Sequence, residues 1–473
     1  PTSPFANYGE FFLAIADDAG VWQSVFGADH SYGGGGLSFL TDVAVDVSGD
    51  IAISGYYYGE IAFPSIQGQN IILTNTNSGY HFEGFVATAT PNGDWQWVRG
   101  LETLVNGTGE YSSTTGVGFS ASGEVLLTGE FQGETDFGGV PLNVSNAEVY
   151  VANYDIASGG LNWVVSGGGI GVNRVFDLAP TTNGGVKIAT ISDGFSQWGS
   201  TSYLAKGTID AVVIEFDAGG ALVGLDGYGS PNEQTIILNI EMDFNGDTYY
   251  AGTFGGTIAG TGWSATASYG GNDIFVVREA VSSANSWAFV SGSSQADEPQ
   301  GLAVTSNGLV VYGGFIIAQH TASSYTLTPS NHDGFVVGLS SSGSAEWAEQ
   351  IGGSQYDYAW SLAVNFSDSI GVGGSYSGSM THDGTSVTST GGRDAFIWAF
   401  DPTALKDTDS DSIVDVDDNC PTVSNPTQAN TDMDDKGDAC DSDDDNDGLT
   451  DNFPDLCPRG GEFNWTSMQD ASN

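Results

Sequence analysis

The stretch Asp333-Gly-Phe-Val-Val-Gly-Leu339, followed by a Ser/Gly turn and Ala345-Glu-Trp347, recurs along most of the chain. An acid opens it, an aromatic or β-branched residue stands two places on, and a turn and usually a Trp follow. The opening residues are Glu10, Glu83, Glu148, Asp210, Asp273, Asp333 and Asp394, in steps of 73, 65, 62, 63, 60 and 61 residues. A period of this size marks repeated supersecondary units. Each period holds a second phrase, seen in Asp42-Val-Ala-Val-Asp-Val-Ser-Gly49-Asp-Ile-Ala-Ile-Ser-Gly55. It returns at Gly116 to Gly129, Ile240 to Gly252, Gly301 to Gly313 and Ser361 to Gly373, with a degenerate copy at Asp177 to Ala189. Alternating apolar residues read as strands, and Ser/Asn-Gly reads as the hairpin turn between them. Helix signals are nearly absent.

Each period thus supplies two strands from each phrase. Four antiparallel strands per repeat, with a long polar loop between the second and third, fit the blade of a β-propeller. Complete sets cover about 42–100, 114–167, 175–227, 238–291 and 299–351, and a last set has three strands at 359–365, 370–376 and 394–400. Two orphan strands, Phe11 to Ala16 and Val21 to Phe26, precede them. Because a ring must hide its edges, the strand containing Trp22 is expected to complete the last set. The expected fold is all-β, a six-bladed propeller over residues 1–401. A seventh blade shared between the termini is the alternative. The text Gly391-Gly-Arg-Asp394-Ala-Phe396, Gly270-Gly-Asn-Asp273-Ile-Phe275 and Trp347 to Gly353 resembles the SBBP-type β-propeller repeat of secreted prokaryotic proteins. That resemblance implies the fold and says little of activity. The repeated acids are read as caps that accept backbone N–H bonds at the strand start, and the Trp residues as core. Tyr56-Tyr-Tyr58 is an exception, since three adjacent aromatics in a strand cannot all point inward.

The chain has 473 residues, 9 Lys plus Arg against 59 Asp plus Glu, and a formal charge of -50. Such a surface repels nucleic acid and acidic headgroups and attracts cations. It suits salty water, where screening softens self-repulsion. No apolar stretch is long enough to span a bilayer. The start Pro1-Thr-Ser-Pro4 reads as a processed end or a fragment. Cysteines stand at 420, 440 and 457, so two could pair and the third would need a partner from elsewhere. Asn106, Asn143, Asn365 and Asn464 open glycosylation sequons.

After Pro402 the composition changes. From Asp407 onward, 18 Asp and one Glu face only Lys436 and Arg459. The text runs Asp407-x-Asp409-x-Asp411-Ser-Ile-Val-Asp415-x-Asp417-Asp418-Asn419-Cys420-Pro421, then Asn430-x-Asp432-x-Asp434-Asp-Lys-Gly437-Asp438-Ala-Cys440-Asp441, then Asp443-x-Asp445-x-Asp447-Gly448-Leu-Thr-Asp451. Carboxylates at every second position of a tight loop can converge on one hard cation, and an all-oxygen donor set suits calcium. Without the ion they would repel one another and the loop would open.

This segment, 402–473, resembles thrombospondin type 3 calcium-binding repeats. The resemblance implies three calcium sites: Asp407, Asp409, Asp411, Asp415 and Asp418; Asn430, Asp432, Asp434, Asp438 and Asp441; and Asp443, Asp445, Asp447 and Asp451. Ser412 and Asp435 stand where the family has Gly, which implies distorted loops. The family also implies a Cys420–Cys440 disulfide, and hence a location outside a reducing cytoplasm.

Three functional readings follow. One is a non-catalytic surface module, a propeller on a calcium-stiffened stalk serving adhesion or filament assembly. It would be secreted or held at the cell surface of a marine or salt-adapted prokaryote, and would meet its own kind or a neighbouring surface protein. Another is a glycan-binding propeller. The third is a secreted polysaccharide hydrolase, which would need two carboxylates in a unique pocket. No such pair stands outside the repeat, and the five His have no metal spacing, so no catalytic residue is assigned and an enzyme is not expected.

Overall fold

The computed structural model describes residues 11–16, 21–30, 37–64, 70–75, 81–104, 109–382, 385–409, 411, 413–444 and 446. Five four-stranded antiparallel units follow one another. Unit 1 is Leu37–Val45, Ile51–Tyr58, Glu83–Ala89 and Trp95–Gly100. Unit 2 is Tyr111–Phe119, Val125–Asp136, Pro141–Tyr154 and Leu161–Gly169. Unit 3 is Asn173–Pro180, Val186–Ser192, Asp210–Phe216 and Leu222–Tyr228. Unit 4 is Thr235–Met242, Thr248–Phe254, Asp273–Glu279 and Trp287–Ser291. Unit 5 is Glu298–Val304, Val310–Ile316, Asp333–Leu339 and Ala345–Gly353. Unit 6 has three strands, Tyr358–Val364, Ile370–His382 and Thr385–Phe400. This is the propeller plan, with the first strands of successive units side by side around an axis. The first-to-second turns carry glycine where φ is positive, as at Gly49 and Gly308 (84° each).

The long second-to-third loops form outer hairpins, such as Glu60–Phe63 with Ile71–Thr74 and Thr257–Gly260 with Trp263–Thr266. In units 2 and 6 the two strands simply run on as one ribbon.

Units 1 to 5 bury both faces of their sheets. The forward face is built of small and β-branched residues and receives the bulky backward face of the next unit. Ala251, Ile274 and Val276 of unit 4 meet Val310, Tyr312 and Phe335 of unit 5 in one buried cluster. Ala303, Val311 and Val336 of unit 5 meet Ile370, Val372 and Phe396 of unit 6 in another. The fourth-strand Trp fixes this contact. Trp97 Nε1 donates to Ile156 O of the next unit (2.7 Å), Trp163 to Ala218 O (2.9 Å) and Trp287 to Ser341 O (2.9 Å).

A β-bulge interrupts the first strand of every unit at the same place: Leu40/Asp42, Thr114/Gly116, Val175/Asp177, Ile237/Asn239, Pro299/Gly301 and Ala359/Ser361. A bulge leaves a backbone N–H outside the ladder. Where an Asp follows the bulge, it reaches across to a backbone N–H in the first strand of the next unit. Asp42 Oδ2 accepts from Val117 N (2.8 Å) and Asp177 Oδ2 from Ile240 N (2.9 Å). At Gly301 the next unit comes so close that a Cβ would lie 2.5 Å from Leu362 N.

The N-terminus departs from expectation. Trp22–Gly27 pairs with Phe12–Ala16 as a two-stranded sheet and does not join unit 6. The reason is its apolar pattern. Phe11, Leu13, Ile15 and Phe26 pack on Ile51, Ile53, Phe85 and Trp95, covering the backward face of unit 1. The hairpin therefore stands where the outer two strands of a preceding unit would stand. The third strand of unit 6 keeps one edge without a ladder partner among the described residues. Tyr57 is buried, while Tyr56 and Tyr58 turn to the other face beside Phe82.

Candidate calcium centre

Asp401 starts the C-terminal segment as a helix cap. It accepts from Thr403 N and Oγ1 (2.9 and 2.7 Å), and these bonds hold its carboxyl below the usual range. Pro402 is buried, Leu405 packs on the cluster containing Trp347 and Phe400, and Lys406 Nζ lies 3.9 Å from Glu346. The acidic loops thus leave from a seated joint.

The segment then repeats itself at an offset of 23 residues. Asp415 accepts from Thr408 N and Oγ1 (2.7 and 2.6 Å), and Asp438 accepts from Thr431 N and Oγ1 (2.7 and 3.0 Å). Asp411 Oδ1 accepts from Ile413 N, and Asp434 Oδ1 from Lys436 N. The Cys420–Cys440 disulfide (Cα–Cα 5.6 Å) ties the two copies together. Gly437 packs so tightly that a Cβ would meet Asn419 Oδ1 at 2.2 Å.

Two groups of carboxylates converge. One oxygen from each of Asp407, Asp409 and Asp411 lies within 4.8 Å of the others, and so do oxygens of Asp432, Asp434 and Asp441. Two like charges at this distance repel by about 3 kcal/mol at an effective dielectric of 20. Both oxygens of Asp409 are shielded from water and have no donor among the described residues. Burial and the neighbouring Asp411, Asp418 and Asp407 raise its pKa. Asp418 keeps Oδ2 buried and without a donor, while its Oδ1 accepts from Cys420 N and Gln428 Nε2 (2.7 and 2.8 Å). Oxygen atoms alone, convergent and unneutralised, are what a calcium ion requires.

The expected ligands divide accordingly. Asp407, Asp409, Asp411, Asp432, Asp434 and Asp441 come together, and Asp418 stands at the position equivalent to Asp441. Asp415 and Asp438 turn both oxygens toward a Thr and shape the loop instead. Asn430 spends its side chain on Met433 N and Asp434 O (2.7 Å each). Asp443 belongs to neither group. Asp445, Asp447, Asp451 and Cys457 lie outside the described residues, as does Ser412. Asp435 is not in the left-handed region, and the left-handed residue of that loop is Met433 (φ 64°). Sequence reading missed Asn446, whose amide donates to Asp432 and Asp434.

Four of the repeated propeller acids accept backbone N–H bonds at the strand start, as read, and Glu10 lies outside the described residues. Asp210 accepts from Lys206 N and Gly207 N, Asp273 from Ser268 N and Tyr269 N, Asp333 from Ser330 N and Asp394 from Thr390 N. Glu83 and Glu148, one carbon longer, accept from Tyr57 Oη and Ser166 Oγ (2.9 and 2.8 Å). The axis holds acids that the repeat does not explain. Burial and then repulsion from Asp42 lift Glu241 to about 7, burial lifts Asp42 to about 6, and Asp177 is raised by burial and by both of them. His320, also missed, is fully buried 3.4 Å from Asp297.

Tandem disulfide-bonded loops that gather carboxylates in pairs of sites define a calcium-binding repeat segment. The thrombospondin type 3 repeat family matches residues 406–428 and 429–464, and this end of the chain carries those calcium-binding repeats. Repeats of this kind are typical of extracellular proteins. No curated protein matches the chain. Among solved structures, virginiamycin B lyase from Staphylococcus aureus is similar at 7% identity and a TM-score of 0.33, over 71% of this chain and 94% of that one. A europium-containing methanol dehydrogenase is similar at 10% identity and 0.32, over 72% and 84%. A quinohemoprotein alcohol dehydrogenase from Pseudomonas putida is similar at 9% identity and 0.29, over 72% of each. Likeness this distant carries no argument about activity. No helix among the described residues is long and apolar enough to cross a membrane.

Proposed function

We propose that the protein is an extracellular structural module in which the propeller is displayed on a calcium-stiffened stalk and serves adhesion or assembly. The seated joint supports this most: Pro402, Leu405 and Lys406 tie the first calcium loop to unit 5. Ions that close the loops would therefore set the direction of the stalk as well as its stiffness. Limited proteolysis of the full chain tests the reading. Chelation should open 407–446 to cleavage and leave the propeller resistant, and equal cleavage with and without calcium would refute it.

A glycan-binding role has its own support. Tyr358 and Trp360 stack at 4.8 Å, Phe315 and His332 border them, and the Arg393 guanidinium lies 4.9 Å over Tyr358. Trp360 is half exposed, as a sugar platform requires. A glycan array with wild type and Trp360→Ala tests it: signal lost in the variant supports the role, and no signal from either ends it.

A further inference from the structure

Each end of the propeller carries a bare apolar face. At unit 6 the forward face is bare. Ala363, Ala395 and Ala399 are exposed and Ile397 is 64% exposed. The matching face of unit 5, with Ala303, Val311 and Val336, is fully buried. At the other end the N-terminal hairpin occupies the seat of a preceding unit. Phe26 lies over Gly93, where a Cβ would come within 2.6 Å of its ring, as Trp97 lies over Gly159 at 2.5 Å one unit further on. The hairpin's own backward face is bare too, with Phe12 66%, Trp22 57% and Val25 43% exposed. One more observation marks the break. Trp347 is buried and occupies the fourth-strand position whose Nε1 elsewhere donates to the next unit's turn, yet its Nε1 has no acceptor. No hydrophobic cluster among the described residues joins unit 6 to unit 1 or to the hairpin.

We infer that the bare face of unit 6 receives the hairpin of a second copy of this chain, continuing between molecules the unit-to-unit contact that recurs within one. The occupant follows from the fold. The backward face of the hairpin belongs to a piece that already serves as a preceding unit, so the surface it fits is the forward face of a unit. The bare one is on unit 6, and among the described residues no hydrophobic cluster joins the two faces of one chain. Both are apolar, whereas the molecule at large carries a charge of -50. The contact is head-to-tail, so each copy keeps one free face of each kind and growth continues. Screening by salt, which weakens repulsion between acidic bodies without touching an apolar contact, favours it. This rests on the assembly reading above and names its surfaces.

The test uses the full chain in calcium and moderate salt, with Phe12→Glu and Ile397→Glu variants, both at exposed positions, and Val25→Glu as a second hairpin variant. Sedimentation velocity should show wild type as concentration-dependent oligomers and each variant as a monomer. A mixture of Phe12→Glu with Ile397→Glu should double in mass and stop, because one intact face of each kind remains. A mixture that stays monomeric overturns the inference. So does a Phe12→Cys/Ile397→Cys double variant whose cross-link forms within one chain, which would mean that the ring closes on itself. The proteolysis experiment is independent: pairing without calcium protection would sink the stalk alone, and protection without pairing would sink the contact alone.

Discussion

Glu241→Gln should stabilise the propeller above about pH 4.5, with the full gain from neutral pH upward. Glu241 lies on the first strand of unit 4 and feels Asp42 from unit 1 across the axis. Burial and that repulsion lift it from 4.5 to about 7. Between these values the folded state holds a proton that the unfolded chain releases, so stability is full below about pH 4.5 and falls as pH rises through 7. The shift corresponds to about 3 kcal/mol. Glu241 is reached by water, and screening reduces this to about 1 kcal/mol. Gln keeps the shape and removes the titration. Denaturant unfolding of wild type and variant at fixed calcium, at about pH 5 and pH 8, reads the effect. The variant should match wild type at the lower pH and exceed it by about 1 kcal/mol at the higher. An equal difference at both values, or a variant less stable at the higher, would refute the reasoning.

Two further substitutions separate roles that look alike in sequence. Asp409→Asn should weaken calcium binding, measured by isothermal titration, far more than Asp415→Asn, because Asp409 lies in the convergent group while Asp415 holds Thr408. Trp163→Phe should cost more stability than Trp347→Phe by about 1 kcal/mol, the net worth of a typical hydrogen bond. Of these two, Trp163 alone donates across a unit boundary among the described residues, and equal losses in thermal unfolding would refute the boundary lock.

The propeller was legible because its signals are local. Alternation and the turn glycines at 49 and 308 act within a dozen residues, and they place every strand of the five complete units to within a few positions. The bulges were not legible. A bulge is one residue too many in a ladder, and Leu40-Thr-Asp42 looks like any strand until its partner is known. The same limit governed the calcium loops. The sequence shows an Asp at every second position, and the sites were read from that spacing. Which way each carboxylate turns depends on a Thr seven residues earlier, at 408 and 431, and that pairing is visible only once the 23-residue offset is recognised.

Closure failed for a different reason. The strand at Trp22 has the composition of a fourth strand, and unit 6 lacks one, so joining them satisfies the count of edges. It ignores the faces. Phe11, Leu13 and Ile15 form a stripe bulky enough to cover Ile51, Ile53 and Phe85. Moving the hairpin to the edge of unit 6 would strip that cover from unit 1 to gain a single ladder. Burial of several large side chains contributes more than one set of exchanged backbone bonds, so the hairpin stays on unit 1 and the edge of unit 6 has no ladder partner among the described residues.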